Sequence, residues 1–401
     1  MSKTYKFPKD FLWGAATSAH QVEGGNFNDW TKWEKENAKI LAKEAKDYWQ
    51  DWQQEKFPKM FEPSNYISGR ACDHYHKYEE DFDIAKTLGH KAHRFSIEWS
   101  RIEPEEGKFN EEEIEHYRKV LKSLRERGLE PFVTLYHWPL PLWLEQKGGW
   151  LNKRTSYYFD RYIKIISEKL FDLVDYWVTL NEPNVYSAQS FLTGEWPPQK
   201  KNPLKYLRVL KNLTRAHKQA YKSLHLIDKN CNVGIAKNNI CFKFNPFADY
   251  FWNKYFLNKI KNQQDFIGLQ YYFYNSFLKP KDVLVSDLGW DIIPQGIYSV
   301  LRQLKRYNKP IYITENGLAD ADDSKREKFI KEHLKYVHKA IEEGVDVRGY
   351  FYWSLLDNFE WNKGFWPRFG LVEVDYNTLE RKVRPSAWKY AEICKSNEME
   401  I

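Results

Sequence analysis

Short apolar runs alternate with long amphipathic stretches along almost the whole chain, and this alternation limits the fold more than any other feature. Each run has the length and composition of a buried strand, and each stretch between two runs is long enough for a helix. Strands that alternate with helices in this way favour a parallel sheet. The eight candidate strands are residues 12–16, 92–97, 131–135, 176–180, 233–237, 266–270, 311–314 and 347–353.

Two of the stretches carry clear helix signals. The first begins after Asn110, has Glu113 three residues later and stops at Gly128, and the second ends at Gly344. Each helix places large apolar residues on one face, namely Ile114, Tyr117, Leu121 and Leu124 in the first and Ile330, Leu334, Val337 and Ile341 in the second. Because eight strand-then-helix units follow one another without a repeat or a linker, we expect residues 1–401 to form one α/β domain, a (β/α)8 TIM barrel.

Charge and hydropathy narrow the range of partners. The formal net charge is +7, but Lys and Arg are mixed closely with Asp and Glu, as in residues 111–122. Mixed charges of this kind are typical of solvated helix faces, so no nucleic-acid partner is expected. No apolar run is long enough to span a membrane, and residues 1–8 lack the apolar core of a signal peptide. We therefore expect a soluble, cytoplasmic protein without a membrane partner.

The chain offers no convincing pattern for a metal or another cofactor. Its cysteines are scattered without a Cys-x-x-Cys pair, which predicts reduced and mostly buried thiols at Cys72, Cys231, Cys241 and Cys394. Asp73, His74 and His76 stand close together, but they precede a charged helix and lack a third ligand at a useful spacing. No cofactor and no metal site is expected.

Polar residues suited to chemistry follow the candidate strands, as a barrel requires if its active site lies at the carboxyl ends of the strands. Such residues accompany each of the eight strands. In chain order they are Gln21, Arg94 and Glu98, His137, Asn181 and Glu182, Asn238, Tyr272, Glu315, and finally Trp353, Asp357, Glu360 and Trp361.

Two of these positions share an unusual context. Residues 177–183 and 311–317 are each an apolar run that ends in a Glu beside an Asn, at Glu182 and Glu315. Two carboxyl groups at the mouth of one barrel can act as an acid and a nucleophile, whereas the alternative is that both are structural. Aromatic residues make up 17% of the chain, and their flat rings can stack on sugars, although most of the 17 Trp residues are expected to serve packing.

Ordered motifs along nearly the whole chain resemble those of glycoside hydrolase family 1, the family of β-glucosidases and β-galactosidases. The two Glu motifs, Thr179-Leu180-Asn181-Glu182-Pro183 and Ile313-Thr314-Glu315-Asn316-Gly317, look like the paired motifs of this family. Residues 11–24, 94–101, 135–141 and 352–361 resemble its N-terminal, second-strand, third-strand and eighth-strand motifs. The resemblance implies the same barrel fold and a retaining glycosidase.

In that family the reaction is a double displacement, so the resemblance implies that Glu315 is the nucleophile and Glu182 the acid/base. Carboxyl groups in retaining enzymes lie about 5 to 5.5 Å apart, one ionised and one protonated. By resemblance, Arg94 and Tyr272 lie beside Glu315, where they would lower its pKa. Glu182 is expected to have no such cation, and burial together with the charge of Glu315 would raise its pKa.

The resemblance also implies a set of substrate contacts. Asn181 would hold the 2-hydroxyl of the sugar, and Gln21 with Glu360 would hold the 4-hydroxyl. Trp353 would form the floor of the site and Trp290 would flank the leaving group, although a packing role for Trp290 is nearly as well supported. A carboxylate at Glu360 would repel a 6-phosphate, which argues against phosphorylated sugars. The full set of expected substrate-binding residues is Gln21, His137, Trp138, Trp290, Trp353, Glu360, Trp361 and Phe369, beside Asn181.

Two features depart from the family pattern. Gln270 stands where the family usually has Asn, and its extra methylene is expected to change contacts at the site and to lower turnover modestly. The segment between the fifth and sixth strands, residues 238–265, is much shorter than usual, so we expect a more open cleft and exposed rings in residues 247–252. Our hypothesis is that Trp252 and its neighbours serve a wide aglycone site or a protein contact.

Three functions from different classes follow. The first is an exo-acting retaining β-glycosidase that acts on β-glycosides or short oligosaccharides, with glucose, galactose, fucose and mannose all open as the sugar. The second is a transglycosidase that passes the glycosyl group to an acceptor other than water. The third is a catalytically silent sugar-binding barrel, which the presence of both Glu182 and Glu315 disfavours. The sequence leaves the oligomeric state undetermined.

Overall fold

The computed structural model describes residues 3–275 and 283–400, and at its centre eight parallel strands form a closed barrel. Each strand pairs with the next one along the chain, and β8 pairs with β1. The strands are Leu12–Ala16 (β1), Ala92–Ser96 (β2), Glu130–Thr134 (β3), Tyr176–Asn181 (β4), Asn232–Asn238 (β5), Phe266–Gln270 (β6), Ile311–Asn316 (β7) and Val347–Trp353 (β8). The predicted (β/α)8 TIM barrel is confirmed, and the predicted strand ends are correct to within two residues.

Helices surround the barrel, and the connection after each strand contributes one of them. An additional helix, α1, lies between β1 and the first of these. The helices are Asp29–Tyr48 (α1), His74–Thr87 (α2), Glu111–Glu126 (α3), Thr155–Leu170 (α4), Pro203–Ile227 (α5), Tyr255–Ile260 (α6), Gln295–Leu304 (α7), Arg326–Glu342 (α8) and Pro385–Ser396 (α9). Asn110 caps α3 by accepting hydrogen bonds from the backbone N–H groups of Glu112 and Glu113, as the sequence indicates.

Shorter elements decorate the connections. Thr4–Lys6 pairs with Glu398–Glu400, Val372–Val374 with Arg381–Val383, and Cys241–Phe242 with Tyr274–Asn275. Short α-helices cover Ala19–Val22, Asp51–Lys56, Trp99–Ile102, Leu142–Gln146, Pro183–Ala188 and Pro246–Asp249. Tight 3-10 turns cover Pro58–Phe61, Pro63–Tyr66, Gly149–Leu151, Phe171–Leu173, Lys305–Tyr307 and Trp361–Lys363, and the wider π turns are Gln189–Thr193 and Tyr250–Lys254.

Aromatic rings fill part of the barrel interior. Phe132 on β3 stacks on Tyr176 of β4 with ring centroids 4.2 Å apart, and it also contacts Tyr312 and Phe351 at 5.1 and 4.8 Å. Phe132 and Phe351 are completely buried, so side chains fill this part of the barrel interior and it is not a pore. The polar side chains that could do chemistry lie beyond them, at the carboxyl ends of the strands.

Two connections at the carboxyl end of the barrel differ greatly in length. Residues 17–91 join β1 to β2 and include α1 and α2, whereas residues 239–265 join β5 to β6 and include only α6 among the labelled helices. The shorter connection exposes rings within residues 247–252, as predicted, with exposed fractions of 73% for Phe247, 44% for Tyr250 and 40% for Phe251. Trp252 in this segment is half-buried, and its Nε1 donates to Oδ1 of Asn238 at 3.1 Å.

The four cysteines and the histidines next to Asp73 have well-defined surroundings. All four cysteines are free and buried, as predicted. His74 contacts Asp81 at 2.7 Å and His76 contacts Asp73 at 2.7 Å, so each His is paired within the protein. In residues 3–275 and 283–400, no group of three or more His, Cys, Asp and Glu side chains could hold a metal. None of the helices in these ranges is long and apolar enough to cross a membrane.

Candidate active site

The two candidate Glu residues lie at the carboxyl ends of β4 and β7, and both strands carry an irregularity there. The register between β4 and β5 shifts between Val178 and Asn181, and the register between β7 and β6 shifts between Ile313 and Glu315. An extra residue of this kind bends a strand and changes the direction of the side chain that follows it. The bulges therefore contribute to aiming both carboxyl groups.

Glu182 also has an unusual backbone. Its φ angle is +40°, in the left-handed region that residues other than Gly rarely adopt. Glu182 stands directly before the short helix 183–188. Its backbone N–H donates to the carbonyl of Ala236 on β5 at 2.8 Å, which fixes this turn. Trp138 and Trp361, which line one cavity together with Glu182, also have left-handed backbone, with φ angles of 85° and 50°. Such strained backbone is concentrated at functional sites.

Glu315 is held by two side-chain donors. Arg94 of β2, which is completely buried, forms an ion pair with Oε1, and the phenol of Tyr272 donates to Oε2 at 2.9 Å. Both contacts stabilise the carboxylate and fix the direction of its oxygen atoms. The resemblance predicts that Arg94 and Tyr272 lie beside Glu315, and the structure brings the three together.

The net pKa of Glu315 differs from the expectation. Burial raises the pKa of Glu315, and the ion pair with Arg94 and the hydrogen bond from Tyr272 counteract that rise without reversing it. The expected net lowering is therefore wrong, because desolvation of a completely enclosed carboxyl outweighs its two partners. The pKa of Tyr272 is raised well above its ordinary value by burial and by Glu315, so its phenol keeps the proton that it donates.

Glu182 is buried with fewer direct partners. Burial and the charge of Glu315 raise the pKa of Glu182 to about 8, as the sequence predicts in direction. No cation forms an ion pair with Glu182 among the described residues, but the charges of Lys237 and Arg94 act on it from further away and oppose the rise of its pKa. Lys237 lies on β5, and the Glu182 backbone contacts this strand at Ala236. The sequence motif around Glu182 ends at Pro183, so it could not predict an interaction with Lys237.

Asn181 connects Arg94 with Gln270 and His137 through side-chain hydrogen bonds. Its Oδ1 accepts from Nη2 of Arg94 at 2.6 Å and from Nε2 of Gln270 at 2.8 Å, and its Nδ2 donates to Nε2 of His137 at 3.0 Å. Burial and the Arg94 charge lower the pKa of His137 well below its usual value, so its ring is neutral and can accept this bond. Gln270, the residue that departs from the family pattern, therefore contacts Asn181.

A cavity of about 240 Å³ opens at the carboxyl end of the barrel. Most of the residues predicted for the site line it, namely Gln21, His137, Trp138, Glu182, Tyr272, Trp290, Glu315, Trp353, Glu360, Trp361 and Phe369. Arg94 and Asn181 do not line it, since both are buried behind the wall and act through Glu315 and His137. Glu98 lies elsewhere, where its side chain caps the short helix 99–102.

Sequence reasoning did not single out several residues that also line the cavity. They are Tyr48, Val185, Gln189, Glu195, Trp196, Phe273, Asn362 and Lys363. Tyr48 comes from the end of α1, and 185–196 belong to the connection after β4. Their positions in long connections carry no local signal, although Trp196 beside Pro197 and Pro198 is a rigid aromatic segment that a search for sugar-stacking rings could have identified.

Tryptophan rings pack against one another in tilted arrangements along one side of the cavity. Trp138 lies 4.6 Å from Trp361 and 4.4 Å from Trp196, measured between ring centroids. His20 stacks on the far face of this cluster against Trp361, at 5.4 Å and 9° between planes, and contacts Glu34 at 2.7 Å. The stacked rings restrict the orientation of Trp361, so the aromatic surface offered to a ligand is rigid.

Gln21 and Glu360 meet at the inner end of the cavity. The amide nitrogen of Gln21 donates to the carbonyl of Phe359 at 2.8 Å and to Oδ1 of Asn358 at 2.9 Å, and Oε2 of Glu360 is 3.5 Å away. Burial and the charge of Glu315 raise the pKa of Glu360 to about 8, while Lys363 and Gln21 oppose that rise. The pair can therefore offer both donors and acceptors to sugar hydroxyls.

The opposite side of the cavity is also aromatic. Trp290 packs against Phe273 at 4.7 Å and against Tyr272 and Phe369 at 6.0 Å each. Gly317, two residues after Glu315, is required for close packing near this wall, because a Cβ there would lie 1.8 Å from the carbonyl oxygen of Trp353. The Asn316-Gly317 pair thus belongs to the end of β7 and the turn that presents Glu315.

A family model described as Glycosyl hydrolase family 1 matches residues 3–246 and 258–399. The chain belongs to glycosyl hydrolase family 1. Among curated family relatives, β-glucosidase A from Thermotoga maritima is 35% identical, with 98% of this chain and 99% of that protein covered. A β-galactosidase from Sulfolobus acidocaldarius is 30% identical, with 98% and 95% covered. As a member of this family, the chain is a retaining β-glycosidase.

Solved structures of family 1 enzymes have the same architecture. A β-glycosidase from Pyrococcus horikoshii is 40% identical, with a TM-score of 0.87 and coverage of 99% of this chain and 96% of that chain. The Thermotoga maritima β-glucosidase in complex with deoxynojirimycin is 33% identical, with a TM-score of 0.86 and coverage of 98% and 99%.

This family 1 chain departs from its relatives in one connection. The family model leaves residues 247–257 unmatched, and they lie inside the β5–β6 connection that the sequence predicts to be shortened. The alignment with the curated Thermotoga maritima relative runs over 462 residues, whereas this chain has 401. The chain therefore keeps the family barrel with less material around it.

Proposed function

We propose that this enzyme removes terminal non-reducing β-D-glucosyl residues from small β-glycosides, with Glu315 as nucleophile and Glu182 as acid/base. The observation that carries the assignment of roles is the unequal support of the two carboxyl groups. Arg94 and Tyr272 contact Glu315 directly and favour its anion, whereas Glu182 is buried beside that anion and has a pKa of about 8. These contacts favour the anion at Glu315 over the anion at Glu182, so Glu182 is the group that keeps its proton near neutral pH.

In the first step, the Glu315 carboxylate attacks the anomeric carbon and the bond to the leaving oxygen breaks. Glu182 donates its proton to that oxygen, so the leaving group departs as a neutral alcohol. Arg94 and Tyr272 hold both oxygen atoms of Glu315, which leaves the carboxylate little freedom to rotate away from the anomeric carbon. The product of this step is a glycosyl ester of Glu315.

In the second step, Glu182 removes a proton from water as the water attacks the same carbon and releases Glu315. Ester formation removes the negative charge of Glu315, which is one of the two main causes of the high pKa of Glu182. The pKa of Glu182 therefore falls when the group must act as a base. Two displacements at one carbon return the β configuration.

The sugar preference rests on the inner end of the cavity. Gln21, His137 and Glu360 supply amide, imidazole and carboxyl groups there, and Trp353 and Trp361 supply ring faces. Relatives that are 35% and 36% identical are named β-glucosidase A, whereas the relative named β-galactosidase is 30% identical. We therefore rank glucose first and galactose second for this chain.

We infer that residues 1–401 form a single catalytic domain, that the enzyme works in the cytoplasm on small-molecule β-glycosides or short oligosaccharides, and that it serves carbohydrate metabolism. No nucleic-acid or membrane partner is part of this proposal. Transglycosylation and a silent binding barrel have no support among the relatives, and both carboxyl groups are in place.

The test combines product analysis with variants. Wild type, Glu315→Gln and Glu168→Gln are incubated with p-nitrophenyl β-D-glycosides of glucose, galactose, fucose and mannose, and proton NMR follows the anomer that appears first. Glu168 is exposed on α4, so Glu168→Gln is a matched control for loss of a carboxylate. We expect the β anomer from wild type and control, with glucose fastest, and no release by Glu315→Gln. First release of the α anomer, or hydrolysis by Glu315→Gln, would contradict the proposal.

A further inference from the structure

Lys237 is a buried cation that the steps above do not use. It lies on β5 with no exposed surface, and its ammonium group donates to the backbone carbonyls of Asn238 and of Trp252, the latter at 2.7 Å. Across residues 3–275 and 283–400, no carboxylate lies within ion-pair distance of Lys237. Burial of a lysine without a direct counter-ion costs free energy, so we looked for a charged group that stabilises its ammonium form.

Glu182 is positioned to be that group. The backbone N–H of Glu182 donates to the carbonyl of Ala236, the residue before Lys237, and the amide of Asn238, the residue after it, interacts with the Glu182 carboxyl group. The strand that carries Lys237 thus contacts Glu182 from both sides of the lysine. Glu182 and Lys237 act on each other electrostatically, since each favours the charged form of the other.

The other charges around the pair are few. Glu182 is influenced by Glu315 from β7 and by Arg94 from β2, besides Lys237 from β5, and the phenol of Tyr272 follows β6. In the segment over Lys237, Asp249 and Lys254 form an ion pair with each other. Burial lowers the pKa of Lys237 to about 7, and Glu182 is the group that opposes this shift.

We propose that Lys237 is a positioning residue that stabilises the carboxylate of Glu182 in the glycosyl-enzyme, when Glu182 acts as a base. This inference rests on the proposed roles of Glu182 and Glu315. In the free enzyme the anion of Glu315 keeps Glu182 protonated, and in the ester that anion is gone. Glu182 then ionises at a lower pH, where Lys237 is charged, so the attraction between them is largest in the second step.

Without the charge of Lys237, the pKa of Glu182 in the ester rises, so the acid limb of the second step moves to higher pH. We expect a shift of about half a pH unit or more, below the 1–3 units of a direct ion pair. The basic limb of kcat/KM reports Glu182 in the free enzyme near pH 8, where Lys237 has lost most of its charge, and it should move less.

The experiment isolates the second step. A 2-deoxy-2-fluoro-β-D-glucosyl fluoride traps the ester, excess reagent is removed, and the reactivation rate is measured against pH for wild type, Lys237→Met, Lys237→Gln and Lys237→Arg. Met removes the charge, Gln removes it but keeps hydrogen-bond donors, and Arg keeps it. We expect the acid limb to move upward in both neutral variants and to stay near its wild-type position in Lys237→Arg. Slower rates with an unmoved limb would show a merely structural role and overturn the inference.

A second measurement uses the unmodified protein and covers the case in which the variants do not fold. In enzyme labelled with ¹⁵N-lysine, NMR follows the titration of the buried ammonium before and after trapping. Because Glu182 ionises in the ester, the pKa of Lys237 should rise on trapping, and an unchanged titration would overturn the inference. Mass spectrometry of the trapped peptide separates the two proposals, since a label on a residue other than Glu315 contradicts the proposed function itself.

Discussion

The surroundings of Glu315 and Glu182 differ in how the protein controls each carboxyl group. Glu315 sits at the end of β7 between Arg94 and Tyr272, and both of its oxygen atoms have a side-chain donor. Glu182 sits in a left-handed turn after β4, and Oε1 has no hydrogen-bond partner within the described protein. Direct contacts hold both oxygen atoms of Glu315, whereas longer-range charges act on Glu182, whose proposed role as acid and then base requires its protonation state to change during the reaction.

The largest effect is expected from Glu315→Gln. The amide cannot form the glycosyl ester, and no neighbouring group can take over, so kcat for p-nitrophenyl β-D-glucoside should fall by about 10⁴-fold or more. Circular dichroism against wild type checks that the variant is folded. A loss of less than tenfold would mean that the group with the best-supported anion is not the nucleophile.

Glu182→Ala should have a smaller effect that depends on the substrate. General acid catalysis contributes about 10²–10⁴-fold, so kcat/KM should fall by that factor for alkyl glucosides with poor leaving groups. For 2,4-dinitrophenyl β-D-glucoside the leaving group needs little protonation, and kcat/KM should fall much less. Added azide should restore turnover and give β-glucosyl azide, because a small anion fits where the carboxyl group was. If kcat/KM fell by the same factor for both kinds of leaving group, Glu182 would not be the general acid.

Tyr272→Phe tests the direct support of Glu315. The change removes one hydrogen bond to a carboxylate, worth about 1.5–3 kcal/mol, so kcat/KM should fall roughly 10- to 100-fold. Loss of the donor also raises the pKa of Glu315, so the acid limb of kcat/KM should move to higher pH. Tyr271→Phe is the matched control, because the Tyr271 phenol donates to the carbonyl of Ile293, away from Glu315. An acid limb that moves equally in both variants would argue against a specific role for Tyr272.

The pH profile of the wild type tests the control of Glu182. The group must be protonated to act as an acid, and its pKa is raised to about 8, so kcat/KM should fall as the pH rises through about 8. Each further pH unit should cost roughly tenfold. A basic limb below pH 6 would show that burial and Glu315 do not raise this pKa in the folded enzyme.

The smallest effect is expected from Gln270→Asn, which restores the usual family residue. The shorter side chain loses the hydrogen bond to Oδ1 of Asn181, but Arg94 still donates to the same atom. One neutral hydrogen bond is worth about 0.5–1.5 kcal/mol, so kcat should change by roughly two- to tenfold. A change beyond 100-fold would mean that Gln270 acts on the reaction by a route other than Asn181.

Local patterns predicted the elements well because each element buries a face that its own residues encode. The strand at 347–353 and the apolar face of α3 are examples, since period and composition suffice to define them. The two bulges were not predicted. A bulge depends on the register between a strand and its neighbours, as at Asn181 and Glu315, and no single run of residues specifies that register.

The sequence by itself determined the barrel, the positions of Glu182 and Glu315 at the ends of two strands, and most of the residues that line the cavity. These depend on local periodicity and on motifs that are continuous in the chain. Only the tertiary structure decided which charges act on each carboxyl group: that Lys237 acts on Glu182, that burial outweighs Arg94 at Glu315, and that Tyr48 and Trp196 reach the cavity. Electrostatic energies depend on distance and desolvation in the folded state, and residues far apart in sequence set both.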